Sequence, residues 1–327
     1  VYIGSYIIIN GNINSSYLFS YIGYDSTCKT TGDTNATDGT QKQLIENLDL
    51  LHVDGVTNMT GMFQYFGHKT MKSFDLGSSF DTSNVTNMTY MFRCAGYTAM
   101  KSFNLGNKFS TSNVTNMNSM FSQAGRQALS TFSLGDKFNT SKVTNMSGMF
   151  NWMGALETLD LGENFDTSNV TTMASMFWGT GYSKMTSFSL GNKFNTSKVT
   201  NMNSMFYDMG GAALKALDLG DQFYTTSATN MTNMFYQTGK NAMVALDLGP
   251  MFTKIAGTNT GMFTNTGKSG AIIYAPESIF NDEKSFKLDT ASTTKINYTR
   301  GTINPMYKPE FTKVSSTLDT SSATPSM

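Results

Sequence analysis

The stretch "FDTSNVTNMTYMF" (80–92) decides the fold, because it comes back almost unchanged. It returns as "FSTSNVTNMNSMF" at 109–121, "FNTSKVTNMSGMF" at 138–150, "FDTSNVTTMASMF" at 165–177 and "FNTSKVTNMNSMF" at 194–206. Its closing Met-Phe pair starts at Met62, Met91, Met120, Met149, Met176, Met205, Met234 and Met262, in steps of 29, 29, 29, 27, 29, 29 and 28 residues. A glycine follows each pair (Gly67, Gly96, Gly125, Gly154, Gly181, Gly210, Gly239, Gly267), and a second closes "DLG", "NLG" or "SLG" further on. Self-similarity at this period is the mark of a solenoid, in which each unit buries its apolar side against its neighbours. The short step loses two residues between Gly154 and Gly162, which places the tolerant loop just after the first glycine.

Each unit carries Met71-x-x-Phe74-x-Leu76 or its equivalent, the L-x-x-L-x-L signature of a leucine-rich repeat with a short strand on its last three residues. Strand alternation sends Phe74 and Leu76 inward and Ser73 and Asp75 outward. The second apolar group, Val85, Met88, Met91 and Phe92, is spaced by three. That suits a turn of 3₁₀- or α-helix, or an irregular second side, better than a strand. Fifteen of the 24 methionines stand in the "NM" and "MF" columns, where unbranched thioethers fill irregular core space. The expected fold is a β-rich solenoid, a leucine-rich-repeat-like right-handed coil of about eight 29-residue repeats with N- and C-terminal caps. Residues 1–48 lack the repeat and read as an N-terminal cap, a β-hairpin around Asn10-Gly11-Asn12. The repeats then fill 49–270, a C-terminal cap 271–314, and a Ser/Thr-rich tail or linker 315–327.

Composition excludes several classes. Lys+Arg and Asp+Glu are both 23, and charged residues make up only 14% of the chain. No basic or acidic block points to nucleic acid. "YIIIN" is too short to span a membrane. Cys28 and Cys94 allow one disulfide at most, and His52 and His68 lie in no ligand-spaced cluster. No catalytic residues, metal site or cofactor are expected. The recurring aspartates (Asp75, Asp81, Asp160, Asp166, Asp218, Asp247) read as turn caps, and the "NM" asparagines as an amide ladder from coil to coil. Two threonine columns, led by Thr82 and Thr86, lie four residues apart across a bend.

One column varies. Directly after "MF" it reads Gln64, Arg93, Ser122, Asn151, Trp178, Tyr207, Tyr236 and Thr264, so three successive coils carry a large aromatic, with Trp152 one place further on in the coil before. Aromatic faces on a surface stack on sugars or anchor protein partners. Trp152, Trp178, Tyr207 and Tyr236 are therefore the candidate binding residues. The plainer role for such rings is to cover the core edge or the next coil.

The repeated "F-D-T-S-x-V-T-N-M-x-x-M-F", together with the closing "IIYAPESIF", resembles the BspA-like leucine-rich-repeat surface proteins of bacteria over roughly residues 50–280. The chain departs from that pattern in having a cysteine after "MF" only at Cys94, and residues 315–327 carry no wall-sorting motif. The resemblance implies an extracellular or cell-surface location, adhesion or another interaction role, and no catalytic residues. The expected function is adhesion to a protein or glycan partner on a host or neighbouring cell. The alternative is a structural subunit that self-assembles into a surface polymer or filament, with the apolar N-terminal segment pairing with a neighbour.

Overall fold

Two sets of short parallel pairings link the coils, one unbroken along one side and one on the opposite side that is interrupted into four sheets, with no strand in the coil at 185–190. The structure, a computed structural model, describes residues 7–8, 14–23, 51–276, 279 and 297–300. On one side lie the strands β1 (Ile7–Ile8), β2 (Leu51–His52), β3 (Ser73–Asp75), β4 (Ser102–Asn104), β5 (Thr131–Ser133), β6 (Thr158–Asp160), β7 (Ala216–Asp218), β8 (Ala245–Asp247), β9 (Ile272–Ala275) and β10 (Asn297–Arg300). Every pairing is parallel and in repeat register, as where Phe74 faces Phe103 and Leu217 faces Leu246. On the other side, eight single-residue parallel bridges run from Asn14–Asn58 through Asn145–Thr172 to Asn230–Thr258. The fold is a parallel β-solenoid, as the repeat requires, and residues 51–276 contain no helix.

The second side is neither helix nor strand. The N–H groups of Met59, Gly61, Phe63 and Tyr65 donate to the carbonyls of Asn87, Thr89, Met91 and Arg93 in the next coil, at 2.8–2.9 Å. The N–H groups between them, of Met62, Gln64 and Phe66, turn back onto Met59, Gly61 and Phe63 at 3.0–3.2 Å. Alternate residues therefore bond between and within coils, and this stack of turns repeats down the molecule. The geometry places two or three residues per coil in the left-handed region. In successive coils these are Gly61 (φ 59°), Tyr65 (59°) and Gly67 (57°), then Tyr90 (58°), Cys94 (58°) and Gly96 (53°). A non-glycine residue there costs about 1–2 kcal/mol, and fourteen such residues occupy the left-handed region among the described residues.

The core lies between the two ladders. Val85, Met88, Met91, Phe92 and their counterparts in neighbouring coils are fully buried. Phe63, Phe92, Phe121, Phe150, Phe177, Phe206, Phe235 and Phe263 form one column of stacked rings, with centroids 5.4–5.9 Å apart and planes within 2–10°. The Thr82 column is buried as well. Its hydroxyls donate to the next coil's carbonyls, Thr82 to Ser110 at 2.7 Å, Thr111 to Asn139 at 2.8 Å and Thr140 to Asp166 at 2.7 Å.

The hairpin expected around Asn10-Gly11-Asn12 turns on residues outside the described ones. β1 pairs in parallel with β2, and Asn14–Gly23 takes the turn side of a further coil. Ser15, Tyr17, Phe19 and Tyr21 donate to the carbonyls of Asn58, Thr60, Met62 and Gln64, and Phe19 stacks on Phe63 at 5.4 Å. Leu18-Phe19 thus stands where the other coils have Met-Phe. The tail 315–327 and most of 271–314 lie outside the described residues.

Met146 is wholly buried, so Met146→Asp should lower stability by on the order of 4 kcal/mol, read as a fall in the midpoint of thermal or urea unfolding. Ser119 (φ 51°) stands where the next coil carries Gly148 and two more distant coils carry Gly61 and Gly261. Ser119→Gly should leave stability within about 0.5 kcal/mol, whereas the β-branched Ser119→Val should cost roughly 1–2 kcal/mol.

Candidate binding surface

The asparagine and aspartate columns have structural work. Each "NM" asparagine caps a turn within its own coil: the Oδ1 of Asn58, Asn87, Asn116, Asn145, Asn201 and Asn230 accepts from the N–H two residues on, at 3.0–3.1 Å. The coil-to-coil link expected of these amides is made instead by the asparagine backbone. Asp75, Asp160, Asp218 and Asp247 cap the glycine turns at Gly77, Gly162, Gly220 and Gly249 at 2.7–2.9 Å. Burial works against the charge of Asp81, but the Ser83 N–H and hydroxyl, with Lys108 and Lys137 nearby, hold its carboxyl below the ordinary value. The exposed Thr86 column does not share a face with the buried Thr82 column. Among the described residues, no three His, Cys, Asp or Glu side chains gather where they could hold a metal ion, and no helix is long and apolar enough to cross a membrane.

The variable column runs along the turn side, buried at Gln64, Ser122 and Thr264 and half-buried at Arg93, Asn151, Trp178, Tyr207 and Tyr236. Trp178, Tyr207 and Tyr236 are half-buried in consecutive coils and lean on one another. Trp178 and Tyr207 are 5.0 Å apart and tilted by 51°, and Tyr207 and Tyr236 are 4.6 Å apart and nearly parallel. Both faces of Tyr207 are therefore covered by its neighbours, and Trp178 and Tyr236 each turn one face into the row. The indole Nε1–H of Trp178 is buried and has no hydrogen-bond partner.

Trp152 belongs to a different row. It is left-handed (φ 54°), its backbone N–H donates to the Trp178 carbonyl at 2.6 Å, and its ring packs between Arg126 and Tyr182. Gly179 makes this possible, since a Cβ there would come within 2.6 Å of the indole. The row continues along the corner that follows the first glycine of each coil. His68 stacks on Tyr97 at 4.8 Å, and the Arg126 guanidinium sits 5.4 Å from the Tyr97 ring and 4.5 Å from the Trp152 ring. Trp152 then lies 6.0 Å from Tyr182, over which Lys240 reaches at 5.9 Å. Sequence reasoning missed Tyr97, Arg126 and Tyr182. Their shared position, directly after the first glycine, was the signal that could have found them.

Asp208 borders both rows. Burial pushes its carboxyl above the ordinary value, and Lys240, 4.0 Å away, only partly opposes this. Burial also raises the Tyr207 phenol, with Tyr236 and Asp208 adding to the effect. For Asp208 the penalty of charging is absent below the unfolded pKa, builds up as pH rises from there to the raised folded value, and is constant above it. The stability of Asp208→Asn relative to the parent should therefore increase between about pH 3 and pH 7, measured by urea unfolding of both proteins across that range. A flat difference would show that the carboxyl is well solvated.

Residues 34–134 and 126–247 each match the family described as "Mycoplasma protein of unknown function, DUF285". No curated protein and no solved structure matches the chain. The two matches together run from residue 34 to 247 of a chain of 327, well over half of it, and so the chain belongs to the DUF285 family.

Proposed function

We propose that this solenoid is a BspA-like bacterial adhesion module, extracellular or at the cell surface, that binds a partner through its turn side and carries out no catalysis. The observation that carries this reading is the Trp178–Tyr207–Tyr236 row. A core-covering column stays apolar in every coil, as Met-Phe does, whereas this one is polar in the coils from Gln64 to Asn151 and aromatic only here. Because the rings cover one another's faces, the row favours a protein partner over a sugar ring stacked flat on an aromatic face. Replacing all three rings by alanine should weaken partner binding by about 1–2 kcal/mol per ring, assayed on host cells and a glycan array beside the parent. Undiminished adhesion by a correctly folded variant would remove this row as the binding site.

A structural role as a self-assembling subunit is favoured by a separate observation at the N-terminal coil. Tyr17 (48%) and Leu18 (47%) are its exposed large apolar side chains. Among the described residues nothing donates to the carbonyls of Ser16, Leu18 and Ser20, although their counterparts Thr60, Met62 and Gln64 all accept from the preceding coil. In this reading the full chain associates end to end, and Leu18→Glu shifts it to monomer in light scattering. A parent that is already monomeric at high concentration would exclude it.

A further inference from the structure

Columns in a solenoid line up like charges that a composition sums away. The corner between the first glycine of each coil and the following strand comprises residues 68–72, 97–101, 126–130, 155–157, 182–186, 211–215, 240–244 and 268–271. It carries Lys69, Lys72, Lys101, Arg126, Lys184, Lys215, Lys240 and Lys268 against the single acid Glu157, in a chain whose charges balance at 23 and 23. Lys184 is paired with Glu157 at 3.1 Å, and Lys240 lies near Asp208. Lys72, Lys101, Arg126, Lys215 and Lys268 make no ion pair among the described residues.

From this placement we infer that the corner is a second binding surface, fitted to a linear acidic polysaccharide laid along the solenoid axis. Three features support that partner. The cations run over seven coil steps, roughly 34 Å at strand spacing, so an extended chain meets them and a compact anion does not. Lys72 and Lys101 sit in adjacent coils, where the Lys101 N–H donates to the Lys72 carbonyl at 2.8 Å, so two like charges stand side by side with no protein anion between them. Arg126 is fixed in advance. Its guanidinium is held between the Tyr97 and Trp152 rings, and among the described residues its one hydrogen bond is a long one to Gln123 at 3.4 Å. The N–H groups in its plane thus remain for a carboxylate or sulfate. The same sandwich covers the aromatic faces that single-stranded nucleic acid would need for base stacking. A stiff glycan with regularly spaced anionic groups gives up little conformational freedom on such a flat site. This surface is separate from the Trp178–Tyr207–Tyr236 row and holds whether or not that row binds protein.

The test is calorimetric titration of the full chain with a heparin-derived oligosaccharide, a sulfated linear glycan, at two salt concentrations. Binding should weaken steeply as salt screens the charges. Lys101→Glu with Lys215→Glu, both exposed, should reduce affinity about tenfold or more. The matched control is Lys142→Glu with Lys198→Glu, two exposed lysines elsewhere on the coil that are bound to Asn113 and Asn169. The control changes net charge equally and should leave affinity unaltered. The inference is overturned by no binding, by equal loss in both double variants, or by tighter binding of oligodeoxythymidine or polyglutamate. It is also overturned if the corner variant alone abolishes a salt-sensitive self-association of the chain, which would make a second copy the occupant.

Discussion

The fold depends on one alternation: on the turn side, every second N–H leaves its own coil for the carbonyl of the next. That pattern sets the distance between coils, and the rest follows from the distance. Backbone ladders bring chains to about 4.8 Å, closer than the 5.4–5.9 Å between the phenylalanine centroids. The rings stay nearly parallel across that wider gap, with planes within 2–10° of one another. The same pattern forces the left-handed residues. Their cost is met because each is held by neighbours above and below, which are ordered by the same bonds.

Polar side chains divide into two kinds by what they satisfy. The Thr82 column, the Asn58 column and the Asp75 column each satisfy backbone groups that the coil leaves over, and so recur with little change. The columns after Met-Phe and after the first glycine are not fixed by any one such bond, holding Gln64, Arg93 and Trp178 in the first and His68, Tyr97 and Arg126 in the second. They vary from coil to coil, and they hold both aromatic rows and the basic corner.

The strand side was legible from sequence because Phe74-x-Leu76 alternates in a way only a strand explains. The buried methionines were legible because the period repeats them. The turn side was not, since a spacing of three in Val85, Met88 and Met91 fits several geometries. Its left-handed sites are filled by Tyr, Cys, Ser, Gln and Trp, which do not announce that conformation as glycine does. The coil at Asn14–Gly23 was hidden because Leu18-Phe19 replaces Met-Phe, and "NGN" is an ordinary hairpin signal. The row of Trp178, Tyr207 and Tyr236 could be found by column, but not that its rings cover one another. Sequence placed Trp152 beside that row, whereas the structure gives it to Arg126 and Tyr182. The basic corner escaped because net charge adds together faces that the solenoid keeps apart.

The coil that lost two residues between Gly154 and Gly162 keeps its place in the bridge ladder, with Asn145 still opposite Thr172, and Trp152 fills its shortened corner. The molecule therefore counts coils and not residues. A gene encoding such a chain can gain, lose or exchange whole units, or trim a corner, without breaking the frame. Each such event realigns the outward columns and so presents a new surface on an unaltered core. A protein built this way can change what it displays far faster than how it folds.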